Sequence, residues 1–145
     1  MLFPKFAEGL EAVLFIALNS GASPVSSKQI CSHQGVLPRH LEPVLQILVK
    51  EGVLKGTKGP RGGYTLAKEK RKISIGEIFS ILSHEVPTKK KPNTPISSIQ
   101  KDIINKVNNC ISECIANSLQ NKTIEDACKQ LTAEIKSKNK EDFNI

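Results

Sequence analysis

The spacing of apolar residues in the first half of the chain predicts three helices. Apolar positions three and four residues apart predict a helix that ends at Gly21, a short second helix that Ser26 or Ser27 can cap, and a third helix beyond Gly35. The predicted buried face of the third helix comprises Leu41, Leu45, Leu48 and Val49. Two short helices joined by a glycine-containing turn are typical of a helix-turn-helix.

A β-hairpin is predicted next, because residues 53–57 and 64–66 can pair as strands. Its basic, glycine-rich tip consists of Lys58, Gly59, Pro60, Arg61, Gly62 and Gly63. Ser74 and Glu77 have the spacing of a capping box and predict a helix that closes this unit near Ser83. Residues 1–83 are therefore predicted to form a winged helix-turn-helix domain, mainly α with a small β wing.

The pattern changes after this unit. Residues 84–95 contain three prolines and a run of lysines, so we expect a linker there. An apolar stripe then predicts a long helix over residues 96–120. Thr123 and Asp126 predict a capped last helix within residues 121–145, with a polar tail that frays from Lys136. The stripe has few partners within the chain, and we expect the long helix to form a homodimer. The predicted dimer contacts are Ile99, Ile103, Val107, Cys110, Ile111 and Cys114.

The charge of the chain is concentrated in one segment. The net charge is +7, and residues 50–72 contain eight basic and two acidic residues, so they carry six of the seven excess positive charges. A phosphate-facing surface requires such a concentration, and a solvated charged surface is the alternative. Charge alone leaves nucleic acid and a membrane surface open. The longest apolar run, residues 12–18, is too short to span a bilayer, and we expect a cytoplasmic protein without a membrane partner.

The polar side of the third helix supplies candidate base contacts. A recognition helix presents polar side chains near its N-terminus to base edges in the major groove of DNA. The candidates are Arg39, His40, Glu42 and Gln46. Arg39 could bind guanine or a phosphate, and Glu42 could accept a hydrogen bond from a cytosine amino group. The basic hairpin tip suits a narrow minor groove. A solvated helix surface and an ordinary flexible turn are the alternatives.

Four stretches carry a resemblance to a known family: residues 24–30, 37–45 and 52–55, and above all residues 58–64, KGPRGGY. They resemble the Rrf2 family of bacterial repressors, the IscR and CymR type, over residues 2–83. Beyond that, the resemblance is one of architecture alone. It implies a winged helix-turn-helix, a long dimerisation helix that crosses its mate, and partly palindromic operators. It also implies base reading by Arg39, His40 and Glu42 and a minor-groove wing of residues 58–61. We add Gln46, Gly62, Gly63 and Tyr64 to the predicted DNA-binding set.

The sequence departs from the family at two places. Pro43 replaces a polar residue common in the family, and we expect the third helix to begin late, near His40, or to kink. Family members that sense iron or redox state bind an iron–sulfur cluster through three closely spaced cysteines before the dimerisation helix. Residues 85–95 contain no cysteine. We therefore predict no cofactor and no metal.

The four cysteines are predicted to be reduced thiols rather than disulfides. Cys31 and Cys128 fall on predicted buried faces. Cys110 and Cys114 are four residues apart on the apolar stripe, where cysteine commonly acts as a small apolar residue. A dimer could bring four such thiols together, so a metal or iron–sulfur site is the alternative.

The predicted function is sequence-specific binding to double-stranded DNA by a homodimeric transcription regulator, with repression favoured. No nucleophile with a base, paired acidic cluster or phosphate-binding loop points to an enzyme. One alternative is an interaction protein whose long helix binds an enzyme or signalling partner. Another is a thiol or iron–sulfur sensor that uses Cys110 and Cys114. A small-molecule effector is also left open.

Overall fold

The computed structural model describes residues 3–84, 99 and 103–143, and its elements follow the predicted order. They are α1 (Pro4–Asn19), α2 (Ser27–Gln34), α3 (Pro38–Lys50), β1 (Leu54–Thr57), β2 (Gly63–Leu66), a 3-10 turn (Lys70–Lys72), α4 (Ile75–His84), α5 (Asn105–Leu119) and α6 (Ile124–Phe143). The two strands are antiparallel, with Leu54 opposite Leu66 and Thr57 opposite Gly63. The predicted fold class, a mainly helical protein with a small β wing, is confirmed. Most of the predicted linker lies outside the described residues.

Local capping fixes where two helices begin. The Ser26 hydroxyl accepts a hydrogen bond from the backbone N–H of Gln29 at 3.2 Å, and the Gln29 side-chain oxygen accepts one from the Ser26 N–H at 2.9 Å. Ser26 rather than Ser27 is therefore the cap of α2. At α6, the Thr123 hydroxyl and the Asp126 carboxylate bond each other's backbone N–H groups, both at 3.1 Å. These reciprocal bonds satisfy amides that a helix end leaves unpaired.

The capping box predicted at α4 is only half formed. The Ser74 hydroxyl accepts from the backbone N–H of Glu77 at 2.9 Å. The Glu77 carboxylate does not return to Ser74, because it pairs with the Lys68 ammonium at 2.9 Å. The helix still begins where the motif predicts, since one capped amide is enough to mark its first turn.

Helix α3 begins at Pro38, so the predicted late start near His40 is wrong. Proline is favoured in the first turn of a helix, where its missing N–H would have had no partner. Pro43 lies inside α3 and cannot donate to the carbonyl of Arg39, four residues earlier. Both residues are exposed, so water can hydrate that carbonyl, and the helix continues to Lys50.

The hydrophobic core lies between α1, α3 and α4. Helix α1 contributes Ala12, Val13 and Ile16, all fully buried. The buried residues of α3 are Leu41, Val44, Leu45 and Leu48. Val44 thus takes the fourth core position predicted for Val49, which is partly buried. The core extends to α6 through Ile124 and Cys128, so the last helix packs on the first domain.

The end of α5 is joined to the start of α4 through backbone groups. The Ile75 N–H donates to the Lys122 carbonyl at 2.7 Å, and the Ile124 N–H donates to the Ile73 carbonyl at 2.9 Å. A Cβ on Gly76 would lie 2.5 Å from the carbonyl oxygen of Ala116, so only glycine allows α4 and α5 to approach this closely. This junction fixes the C-terminal end of α5 against the first domain.

The last helix is longer than predicted. Helix α6 extends to Phe143, so the expectation that the chain frays from Lys136 is wrong. Lysine and glutamate are good helix formers, and no glycine or proline interrupts residues 136–143. Local propensity therefore suffices to continue the helix although the side chains of residues 136–142 are exposed.

Candidate nucleic-acid interface

A groove of about 460 Å³ lies between α3, the hairpin and the start of α2. It is lined by Ser26, Ser27, Gln46, Val49, Gly56, Thr57, Lys58, Gly59, Gly62, Gly63 and Tyr64. The groove therefore brings Gln46 of the candidate recognition helix together with the hairpin, which we call the wing (residues 54–66). Three hydroxyl residues in it, Ser26, Ser27 and Thr57, were not among the predicted DNA contacts. The capping motif at Ser26 marks the start of α2 in the sequence. It could have indicated that the start of this helix lies at the site.

The first turn of α3 carries the other predicted base contacts on an exposed surface. Arg39, His40 and Glu42 are all exposed and lie outside the groove lining. The Arg39 Nε donates to His40 Nε2 at 3.4 Å, and the Lys5 ammonium lies 3.5 Å from the His40 carbonyl oxygen. Lys5 thus lies beside the candidate recognition helix, but its charge is shared with Glu8, whose carboxylate is 3.5 Å from the same ammonium. No local sequence pattern identifies it, because α1 brings it there through tertiary packing.

The negative charge of Glu42 acts on one residue of the wing and one residue of α2. Burial raises the pKa of Tyr64, and the negative charge of Glu42 raises it further. The pKa of the Cys31 thiol is raised by the same two causes in the same order. Glu42 is thus an exposed carboxylate of α3 whose charge reaches Tyr64 and Cys31. A carboxylate can accept a hydrogen bond from a base amino group.

Two glycines of the wing are required by close backbone contacts within the chain. The Val25 N–H donates to the Tyr64 carbonyl at 3.0 Å, and the Tyr64 N–H donates to the Val25 carbonyl at 2.8 Å, so the wing is bonded to the residue that precedes α2. A Cβ on Gly63 would collide with the Val25 carbonyl oxygen, and one on Gly62 would collide with the carbonyl oxygen of Thr57. Glycine at position 63 allows the wing to approach the segment that precedes α2, and glycine at position 62 allows the tight turn of the hairpin tip.

The basic segment does not form one surface. Lys68 pairs with Glu77, Arg71 pairs with Glu69, and Lys70 lines a separate hollow beside α6. The wing itself keeps Lys55, Lys58 and Arg61, which are exposed and form no ion pair within the described ranges. The positive charge available to an anion in the groove is therefore smaller than the sequence run indicates.

The apolar stripe of α5 is uncovered in the single chain. No residue of α5 is buried, and Val107 and Ile111 are 49% and 48% exposed. Ile99 and Ile103, before the helix, are 65% and 58% exposed. Cys110 and Cys114 lie on the same helix and are exposed as well. All six predicted dimer contacts are thus accessible to a second molecule.

A family model described as Rrf2, iron-dependent transcriptional regulator, matches residues 4–130. The chain belongs to the Rrf2 family. Among curated relatives, the HTH-type transcriptional regulator IscR of Escherichia coli is 39% identical over 85 residues, which are 59% of this chain and 52% of the relative. The chain spans about half the length of the curated relatives it matches.

Two solved structures of Rrf2-like proteins match most of the fold. IscR of T. potens is 31% identical, with a TM-score of 0.61, over 88% of this chain and 85% of that one. CymR of B. subtilis, described as the global cysteine regulator, is 25% identical, with a TM-score of 0.62, over 87% and 94%. The predicted family is confirmed. In the described part of the chain, no helix has both the length and the apolar character needed to cross a membrane.

The description of the Rrf2 family as iron-dependent raises the question of a metal site. Cys31 and Cys128 are buried in the core, and burial raises the pKa of both thiols. Cys110 and Cys114 are exposed on α5 and supply only two thiols. Over residues 3–84 and 103–143, no three His, Cys, Asp or Glu side chains of one chain lie together as metal ligands. The residues of a single chain do not fit a three-cysteine cluster.

Proposed function

We propose that the protein is a homodimeric transcription regulator that binds partly palindromic operators sequence-specifically and represses the genes they control. The observation that carries this proposal is the groove in which Gln46 of α3, the wing and the start of α2 meet. The wing contributes cations without ion-pair partners in the described ranges, which suits a polyanion. A regulator of this kind acts in the cytoplasm, where it reaches the chromosome.

Helix α3 is the proposed recognition helix. Its exposed polar residues, Arg39, His40, Glu42 and Gln46, would face base edges in the major groove, where each base pair has a distinct pattern of donors and acceptors. The wing would follow the backbone into the adjacent minor groove with residues 58–61. The first turn of α2 would bind a phosphate through the backbone N–H groups of Ser27 and Lys28, because the cap at Ser26 takes up the N–H of Gln29 and leaves these two available.

The proposed dimer forms through the uncovered stripe of α5. Exposed apolar side chains at helical spacing favour burial against a second helix, and a two-fold dimer presents two copies of α3 to two half-sites. We propose that residues 1–83 form the DNA-binding domain and that residues 84–95 form a linker. Residues 96–120 would form the dimerisation helix, and residues 121–145 the last helix and tail. Ile124 and Cys128 of α6 belong to the same hydrophobic core as α1, α3 and α4.

The test compares three variants on the protein's own promoter DNA over a series of salt concentrations. The double variant Lys58→Ala and Arg61→Ala should weaken binding to all DNA sequences. A plot of log K against log salt has a negative slope. In the double variant this slope should be shallower by about 0.9 for each phosphate that the wing no longer neutralises. Glu42→Ala should mainly change which bases are preferred, because in the proposed complex its carboxylate accepts a hydrogen bond from a base amino group.

Lys70→Ala is the matched control. It removes a charge from the same sequence segment, but Lys70 lies beside α6 rather than in the groove. Its salt slope should equal that of the unmodified protein. If Lys70→Ala and the wing variant change the slope equally, the groove is not the DNA-binding surface. If Glu42→Ala changes affinity for all sequences alike, the role assigned to α3 is wrong.

A further inference from the structure

Two of the four cysteines are exposed, which is unusual for this residue type. Cysteine is among the residues most often fully buried in folded proteins. Cys31 and Cys128 follow that rule, whereas Cys110 and Cys114 are exposed on α5. Four residues apart in a helix, their Cβ atoms are about 5–6 Å from each other on one side. That spacing allows two side chains of one helix to bind the same metal ion.

Among residues 3–84 and 103–143 of one chain, no third metal ligand lies beside this pair. The other two thiols are buried in the core between α1, α2, α3 and α6, away from the exposed side of α5. Residues 85–98 and 100–102, which precede the helix, contain no cysteine and no histidine. Each chain therefore offers two soft donors on the face that is proposed to meet its mate.

We propose that two copies of the chain share one zinc ion, bound by Cys110 and Cys114 of each protomer. This inference rests on the proposed dimer through α5, and the site is incomplete without the second copy. Zinc takes four thiolates in tetrahedral geometry, with Zn–S distances of about 2.3 Å. A two-fold axis between the two helices would bring the two cysteines of one protomer next to the two cysteines of its partner.

The binding step balances without redox chemistry. Four thiols lose four protons to solvent, the four thiolates bind one Zn²⁺, and no electrons are transferred. The resulting centre carries two negative charges. Lys106 lies one helical turn before Cys110 and supplies a positive charge on the same side of α5. The ion would thereby clamp the two dimerisation helices together.

The test measures metal in the purified full-length protein. The unmodified protein should contain about one zinc per dimer, and cobalt(II) in its place should give the visible absorption of a tetrahedral thiolate site. Cys110→Ser and Cys114→Ser should each abolish stoichiometric binding. Asn109→Ser, a neighbouring exposed position without a thiol, should retain it. Zinc loading should release protons, and removal by a chelator should weaken the dimer measurably in sedimentation.

Three results would overturn the inference: no stoichiometric zinc, one zinc per monomer, or zinc retained by the two serine variants. Promoter binding and sedimentation of the same preparations separate this inference from the proposed function. A zinc-free dimer that binds its promoter tightly refutes the zinc site and leaves the proposed function intact. A protein that is monomeric with zinc present refutes both.

Discussion

Replacing Gly63 with alanine tests whether the wing is held in place by its contact with Val25. The added Cβ would collide with the Val25 carbonyl oxygen, which is backbone and cannot rotate away. The strand and the segment before α2 must then separate. Two backbone hydrogen bonds join them, between Val25 and Tyr64, at 3.0 and 2.8 Å. Both are weakened or broken when the two segments move apart.

The size of the effect follows from these two terms. Forcing an extra methyl group into a packed site costs roughly 1–3 kcal/mol. Each backbone hydrogen bond contributes about 1 kcal/mol net, so a decrease of about 3 kcal/mol in the free energy of unfolding is expected for Gly63→Ala. For a protein of this size that corresponds to a fall in Tm of roughly 6–12 °C. Promoter affinity should also fall, because the wing lines the groove.

Thermal unfolding of Gly63→Ala and Gly56→Ala gives the comparison. Gly56 lies in β1 of the same wing, and the nearest atom to a Cβ there is Tyr64 Cε1 at 4.0 Å, an ordinary contact. Gly56→Ala should therefore change the unfolding free energy by less than about 1 kcal/mol. Equal Tm values for the two variants would show that the wing does not depend on its approach to Val25.

Two further predictions concern the helices behind the wing. Val107→Asp places a charge on the exposed stripe and should give monomers in sedimentation, together with weak promoter binding; a variant that remains dimeric would move the interface elsewhere. Asp126→Asn should lower the Tm at neutral pH. Hydrogen bonds from Thr123 lower the pKa of Asp126, so its stabilising effect is present above the ordinary pKa of an aspartate and disappears as the pH falls through the lowered value. The two Tm values should therefore converge in acid, and a constant difference would contradict this account.

Elements with a local cause could be predicted from the sequence. The caps at Ser26 and Thr123 depend on residues three positions apart, and the wing follows from turn residues between two short strands. The late start of α3 inferred from Pro43 was wrong. A proline in a helix is costly mainly where the carbonyl that loses its hydrogen bond is buried. At an exposed site water replaces that bond, and the start of the helix depended on Pro38 instead.

The composition of the site depended more on tertiary structure. The run of basic residues is continuous in sequence, but Glu77 of α4 pairs with Lys68, and the chain then turns toward α6. Lys5 of α1 lies beside the candidate recognition helix although 35 residues separate it from His40 in the sequence. Neither arrangement has a signature in nearby residues. Charge density along a sequence therefore overestimates the charge on one surface wherever the chain changes direction within the run.

The exposure of the apolar stripe of α5 could be predicted from the sequence, because the chain has few other segments that could cover these residues. Ile103, Ile104, Val107 and Ile111 are each about half exposed. Burying the remaining half of four such side chains contributes about 3–6 kcal/mol per protomer. Association of two proteins costs on the order of 4–15 kcal/mol in reduced translational and rotational freedom, so these four residues alone make a marginal dimer. Further contacts are then needed to hold the two proposed recognition helices at a fixed spacing, and the proposed zinc site at Cys110 and Cys114 would supply them on the same helix.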